Sequence, residues 1–331
     1  MKNALRLLST LVIAAVVFGF IACTPKGDDK ILIGVSLPTQ REERWAADYS
    51  GFRAAAEKLG VEVIIQIADN DAARQQSQVE NMITQGAQAL IIAPHDAVAA
   101  RQLIVMAHRE DIPVIAYVRP ITDGNADLYI YASPYGIGRA MGQYLWDNVP
   151  AGNIVFMRGD AADDTSIPLA QGALDVLQPR IDEGTYRIVM DQNVRGWEPS
   201  NALNLMEQAL TANANNIAGV IAPNDGTAGG IIQALAAQGM AGLVPVTGQD
   251  SEIDAVRRIR EGTQGMTVLN DNVAMTLAAL EAAIRLINGE DTGASDSMDD
   301  GTPVLDFTPR VVNRETYRQL IEDGLINEAD L

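Results

Sequence analysis

Arg41, Trp45, Arg119, Trp197, Asn224, Asp225, Gln249, Asp250 and Asn270 are the side chains whose types and placement could do chemistry together. Planar guanidinium, amide and carboxylate groups can each engage two adjacent hydroxyls, and an indole face accepts the weakly polar C–H face of a sugar ring. Most of these residues directly follow an apolar run of strand character, so the set has the composition of a carbohydrate site. Taken singly, each has a plainer use: tryptophan in a core, arginine in a surface ion pair, Asp or Asn as a helix cap. Their shared place after strands is what groups them.

Catalytic arrangements find little support. The chain has no G-x-S-x-G elbow and no G-x-x-x-x-G-K-[ST] phosphate loop. Its two histidines, His95 and His108, lack H-x-x-x-H spacing and have no cysteine nearby, so no metal site is expected. Asp69-Asn70-Asp71 and Asp163-Asp164 lack the twelve-position calcium loop and read as turn chemistry. No cofactor is called for, and the expectation is a protein that binds without catalysing.

The elements that must position these residues alternate between short β-rich apolar runs and longer segments of helical period. That is the pattern of parallel α/β units. Strands are expected at 31–35, 61–67, 89–93 and 114–117, with helices near 44–59, 73–85 and 97–110, and Gly60 and Gly86 as stops. The alternation then restarts, with strands at 153–157, 186–190, 219–222, 244–247 and 266–268, and helices near 166–177, 199–212, 227–237 and 252–261. Ile92-Ala93-Pro94-His95-Asp96 and Ile221-Ala222-Pro223-Asn224-Asp225 repeat one strand-end pattern in the two halves. In open α/β sheets ligands sit beyond the carboxyl ends of strands, where both copies fall.

Forty-three acidic against 24 basic side chains give 331 residues a net charge of −19, which repels phosphate backbones, and no basic patch offsets it. No nucleic-acid partner is expected. An apolar fraction of 47% suits a well-buried core rather than disorder. Residues 1–22 differ from the rest: Lys2 and Arg6 precede an uncharged apolar stretch from Leu7 to Ala22, too short to span a bilayer, which reads as an export signal. Phe20-Ile21-Ala22-Cys23 resembles a bacterial lipoprotein box, so Cys23, the only cysteine, is the expected lipid anchor. Residues 23–30 then form a polar tether, and the body works outside the cytoplasm, anchored to the cell membrane or in the periplasm.

Longer motifs carry a resemblance over nearly the whole remaining length. Arg41-Glu42-Glu43-Arg44-Trp45, Ser77-Gln78-Val79-Glu80-Asn81-Met82-Ile83, Gly196-Trp197-Glu198-Pro199 and Ala209-Leu210-Thr211-Ala212-Asn213 are similar to the extracytoplasmic D-xylose-binding components of bacterial ABC sugar importers. So are Asn224-Asp225-Gly226-Thr227-Ala228-Gly229-Gly230, Gly248-Gln249-Asp250 and Gly262-Thr263-Gln264-Gly265-Met266-Thr267-Val268. The resemblance implies two Rossmann-like parallel-sheet domains, joined by a three-segment hinge, that close on one sugar. It places Arg41, Arg119, Trp197, Asn224 and Asp250 where that family holds the sugar, with Trp45 in the arginine-to-tryptophan turn. Val118 stands where an Asp is expected, Ser133 and Pro134 replace an Asp-Asn pair, Asp164 and Thr165 replace an Asn pair, and Asn270 replaces a lysine. These departures leave the sugar open between xylose and a related monosaccharide.

Crossovers near 131–134, 270–271 and 303–308 would assign 31–131 plus 271–302 to an N-terminal lobe and 132–270 plus 303–331 to a C-terminal one. The expected partners are a monosaccharide, an ABC permease in the membrane and the lipid on Cys23, for a protein acting as a monomer. The alternative is a ligand receptor read by a sensor kinase or chemoreceptor.

Overall fold

The computed structural model describes residues 30–331 apart from residue 295, and the folded body runs from Leu32 to Leu331. The export segment and Cys23 lie outside the described residues. Strand β1 (Leu32–Leu37) is a nearly unbroken buried apolar run, as expected of a strand covered on both faces. It pairs in parallel with β2 (Glu62–Ile67) and β3 (Ala89–Ile92). Beyond β3 follow β4 (Val114–Tyr117), β5 (Leu128–Ala132) and β11 (Pro303–Phe307), all parallel, and an antiparallel edge, β10 (Asp296–Ser297). Helices α1 (Glu43–Leu59), α2 (Ala72–Thr84) and α3 (Arg101–His108) connect the first four strands. Gly60 and Gly86 adopt left-handed conformations just past α1 and α2 and stop both helices. The stretch expected as helix from 97 begins with turns, and α3 starts only at Arg101.

The second sheet is assembled around β6 (Gly152–Arg158), flanked in parallel by β7 (Tyr186–Asn193) and β8 (Gly219–Ile221). Residues 244–247, expected as a strand, are reduced to one bridge between Val246 and Val220. Pro245 explains this, because it has no N–H to donate to a ladder. The carbonyls of Pro245 and Val246 still accept from Val220 N and Gly265 N. They thereby connect β8 to the antiparallel pair β9 (Met266–Leu269) and β12 (Arg310–Asn313). Helices α4 (Pro134–Asn148), α5 (Ser166–Asp182), α6 (Pro199–Ala212), α7 (Asp225–Ala237) and α8 (Ile253–Glu261) pack around this sheet, and α9 (Asn272–Ile287) returns to pack on α1. Helix α10 (Arg318–Glu322) closes the body, its Leu320 packing with Val256 of α8 and Val312 of β12.

The chain passes between the sheets after β5, after β9 and between β11 and β12. The last passage, between Phe307 and Arg310, falls at the end of the crossover expected near 303–308. Val304 to Phe307 pair in register with Tyr129 to Ala132, which keeps residues 303–307 on the first sheet.

Candidate functional site

The loops at the carboxyl ends of the strands of both sheets converge on one cleft. Trp45 sits in the first turn of α1, 1% exposed, with the guanidinium carbons of Arg44 and Arg119 4.8 and 5.1 Å from its ring centroid. Trp197, 6% exposed, comes from a single 3-10 turn between β7 and α6. Gly196 at φ +66° and Trp197 at φ +55° turn the indole inward, and Asp160 Oδ2 holds the turn by accepting from Gly196 N at 2.6 Å. Gly159 presses against this indole so closely that a Cβ there would collide with it.

Both indoles line a polar chamber with Glu42, Arg44, Arg119, Asp163, Thr165, Asn224, Gln249 and Asp250. Arg44 Nη1 donates to Asp250 Oδ1 at 3.0 Å, and Arg44 Nε lies 3.3 Å from Asp48 Oδ2. Arg119 Nε lies 2.7 Å from Asp163 Oδ2, and its Nη1 donates to the carbonyl of Pro94 at 3.3 Å. All these charged side chains are nearly fully buried, as charges can be only when paired. The chamber is therefore charge-compensated, rich in both donors and acceptors, and walled by indole.

The backbone is bent to aim these groups. Val118 stands at φ +64° in a γ-turn closed by Arg119 N donating to the carbonyl of Tyr117, a conformation that is rare and strained, most of all for a β-branched residue. Val118 N donating to Ile130 O, and Tyr129 OH donating to Val118 O, hold it there. Asp250 is also left-handed, at φ +97°. Strain of this kind persists where the surroundings over-determine it, and it collects at binding sites.

Burial pushes the Glu42 carboxyl up to about 7, with Arg119 opposing and Asp250 reinforcing the shift. Asp48, behind Arg44, is likewise raised by burial to about 6, although Arg44 and the hydroxyl of Tyr117 pull it down. Burial pulls the Arg44 guanidinium down, but Asp48 and Asp250 outweigh it and raise it, so it stays charged.

Of the side chains expected at the site, Trp45, Arg119, Thr165, Trp197, Asn224 and Asp250 all line this chamber. Asn224 does two jobs. Its Oδ1 caps α7 by accepting from Thr227 N at 3.0 Å, leaving Nδ2 to reach Glu42 Oε2 at 3.4 Å. Asn270 lines an adjoining chamber and donates to Asp250 Oδ1 at 3.0 Å. Arg41 stands apart, its side chain 62% exposed and paired with Glu198 at 2.7 Å. Asp164 also points elsewhere and accepts from Thr122 Oγ1. Arg44, Glu42 and Asp163 are the residues that sequence reasoning did not assign. The signal for Arg44 was present in Asp48, an acid four residues on in the same helix. Asp225, grouped with Asn224 in the sequence, turns away into a buried network with Gln264 Nε2 and Thr267 Oγ1, each at 2.7 Å.

The adjoining chamber shares Arg44, Val118, Thr165 and Gln249 with the first. Val118, Pro134, Thr165 and Asn270, four positions at which the sequence departs from the xylose-binder pattern, all line it. Among the described residues, no cluster of three or more His, Cys, Asp or Glu is arranged to hold a metal ion.

Residues 33–291 match the model of the periplasmic binding protein domain. The chain is 39% identical over 306 residues to the D-xylose-binding periplasmic protein of Escherichia coli (strain K12), covering 91% of this chain and 93% of that one. It is 30% identical to the multiple sugar-binding periplasmic receptor ChvE of Rhizobium radiobacter, covering 91% and 92%. Among solved structures, the carbohydrate transporter solute-binding protein of Chloroflexus aurantiacus, in complex with D-glucose, superposes with a TM-score of 0.85 at 31% identity, covering 90% of this chain and 97% of that one. The fold is that of type I periplasmic binding proteins, and the chain belongs to the periplasmic binding protein family.

Proposed function

We propose that this chain is the substrate-binding component of an ABC importer, capturing a monosaccharide by hinge closure and delivering it to a membrane permease. The observation that carries the reading is the polar chamber. Two indoles and two compensated guanidinium–carboxylate pairs suit a ring that is uncharged, apolar on its faces and hydroxylated at its edge. The names of the relatives point the same way, toward xylose in Escherichia coli and Haemophilus influenzae and toward several sugars in Rhizobium radiobacter. Asp163 and Asp250 are committed to arginine partners, which suits holding a ligand rather than transferring protons, so binding leaves the sugar chemically unchanged.

In this reading the lobes are 31–131 with 271–307 and 132–270 with 308–331, so that β11 stays with the first lobe, and the three passages between the sheets form the hinge. Calorimetry on protein unfolded, freed of ligand and refolded should detect at least one pentose or hexose. Silence across both classes would sink the proposal.

We also propose an extracytoplasmic monomer held by lipid on Cys23, motivated by the apolar stretch that ends at that cysteine. Lipid supplies membrane affinity that the polar tether lacks. Cys23→Ala should move the protein from the membrane to the soluble fraction on fractionation, and wild-type protein found wholly soluble would count against the anchor.

A further inference from the structure

The two adjoining chambers differ in their walls. Six residues of the second, Val118, Ala132, Pro134, Ile137, Leu169 and Met275, form an apolar alcove. Its polar side is built by Arg44, Thr165, Gln249 and Asn270, of which Arg44 and Asn270 reach the same atom: Arg44 Nη1 and Asn270 Nδ2 both donate to Asp250 Oδ1 at 3.0 Å. Their remaining ends, Arg44 Nη2 and Asn270 Oδ1, are buried and have no hydrogen-bond partner among the described residues. One is a donor and the other an acceptor, on side chains held to one carboxylate oxygen.

A hydrocarbon group would satisfy the alcove but leave this pair desolvated and unpaired, which is unfavourable. A bare ring hydroxyl would satisfy the pair but leave the apolar wall without a partner. A methylene carrying a hydroxyl satisfies both. We propose that the ligand is an aldohexopyranose whose exocyclic hydroxymethyl group occupies this alcove, the methylene on the apolar wall and the hydroxyl accepting from Arg44 Nη2 and donating to Asn270 Oδ1. The ring then lies in the polar chamber between the arginine–carboxylate pairs. This assignment rests on the reading of the chain as a sugar binder and narrows it, because a pentopyranose has no such group.

Two matched pairs of sugars differ only by the hydroxymethyl group: D-glucose with D-xylose, and D-galactose with L-arabinose. Calorimetry on the refolded, ligand-free chain should show, in at least one pair, the hexose binding about tenfold or more tighter than its pentose. The corresponding 6-deoxyhexose, which fills the alcove but leaves Arg44 and Asn270 unpaired, should lose about tenfold relative to the hexose. Ala132→Val narrows the alcove and should shrink the hexose-to-pentose ratio several-fold. The sugar series on the unmodified chain decides the matter even if that variant does not fold. Pentoses binding as tightly as their hexoses in both pairs, or binding confined to sugars without a hydroxymethyl group, would overturn the assignment while leaving the sugar-binding reading intact. Absence of binding by every sugar would overturn that reading too.

Discussion

The two sheets bring opposite halves of the same chemistry to the cleft. Loops of the first sheet supply one indole, Trp45, and two guanidinium groups, Arg44 and Arg119, both stacked within about 5 Å of that indole. Loops of the second supply the other indole, Trp197, and two carboxylates, Asp163 and Asp250. The groups that pair across the cleft carry one sign on each side, although Asp48 also lies behind Arg44 on the same helix. Brought together, they form two buried ion pairs across the cleft. The complementarity makes closure of the halves and construction of the site the same event, and it places hydrogen-bonding charges around a neutral ligand with little net field.

Removing one partner of a cross-cleft pair should break this arrangement most severely. Asp250→Ala strips Arg44 of its partner across the cleft and Asn270 of its acceptor, leaving a buried charge underpaired. Sugar affinity should fall by about 2 to 4 kcal/mol, roughly thirtyfold to a thousandfold, by calorimetry. Replacing the whole charged unit, Arg44→Met with Asp250→Leu and Asp48→Asn, should recover much of the stability of the empty protein in thermal unfolding but none of the affinity. Equal affinities in Asp250→Ala and wild type would remove this pair from the site.

The indoles come next. Trp197→Ala should weaken binding by about 1 to 3 kcal/mol. Because Trp197 also packs among Phe156, Leu169 and Ile221 in a buried cluster, the same change should lower the melting temperature of the empty protein. Trp197→Phe should restore most of the stability and only part of the affinity. Full affinity in the Ala variant would assign the indole to the core alone.

Much of this contrast was legible in the sequence, and what was not has physical causes. Strands such as β1 and β4 are nearly unbroken apolar runs, and burial on both faces leaves that signature directly. Strands β11 and β12 are short and half-exposed, with Asp306 and Arg310 among their residues, and pairing partners far along the chain, rather than local pattern, make them strands. At the site, Asp163 was legible as a turn residue and is one, since its Oδ1 accepts from Thr165 N at 3.0 Å. Its other oxygen reaches Arg119 only because two sheets bring them together. Asn224 and Asp225 are adjacent and chemically alike in sequence, yet the start of α7 sends one to the cleft and the other inward.

Glu42 sharpens the comparison because it is an acid on the guanidinium side. Its ordinary carboxyl value of 4.5 is raised to about 7, chiefly by burial, so the neutral form is the one the fold favours. That contribution to stability is complete below about pH 4.5 and is lost as pH rises through 7. Asp48, raised from 3.8 to about 6, acts in the same direction over a lower window. Stability of the empty protein should therefore decline across this range by the share these two groups carry. Glu42→Gln, neutral at every pH, should match wild type near pH 5 and exceed it at pH 8 in thermal unfolding. Identical pH slopes in the two proteins would show that Glu42 meets water freely.

Arg41 carries the smallest expected effect and marks the edge of the comparison. It lies three residues before Arg44, in the same turn, and like Arg44 it pairs with an acid of the other side, Glu198 at 2.7 Å. The difference is solvent. The Arg41 side chain is 62% exposed and Glu198 28%, against 7% and 5% for Arg44 and Asp250. Water and salt screen an exposed pair, and holding two long side chains in one geometry has an entropic cost that offsets the attraction. Arg41→Ala should thus change sugar affinity by no more than about threefold, and raising the salt concentration should erase even that. If Arg41→Ala instead weakened binding as much as Asp250→Ala, the ligand would reach the mouth of the cleft. The arginine nearest the start of the turn, rather than the one beneath the indole, would then be the one that grips it.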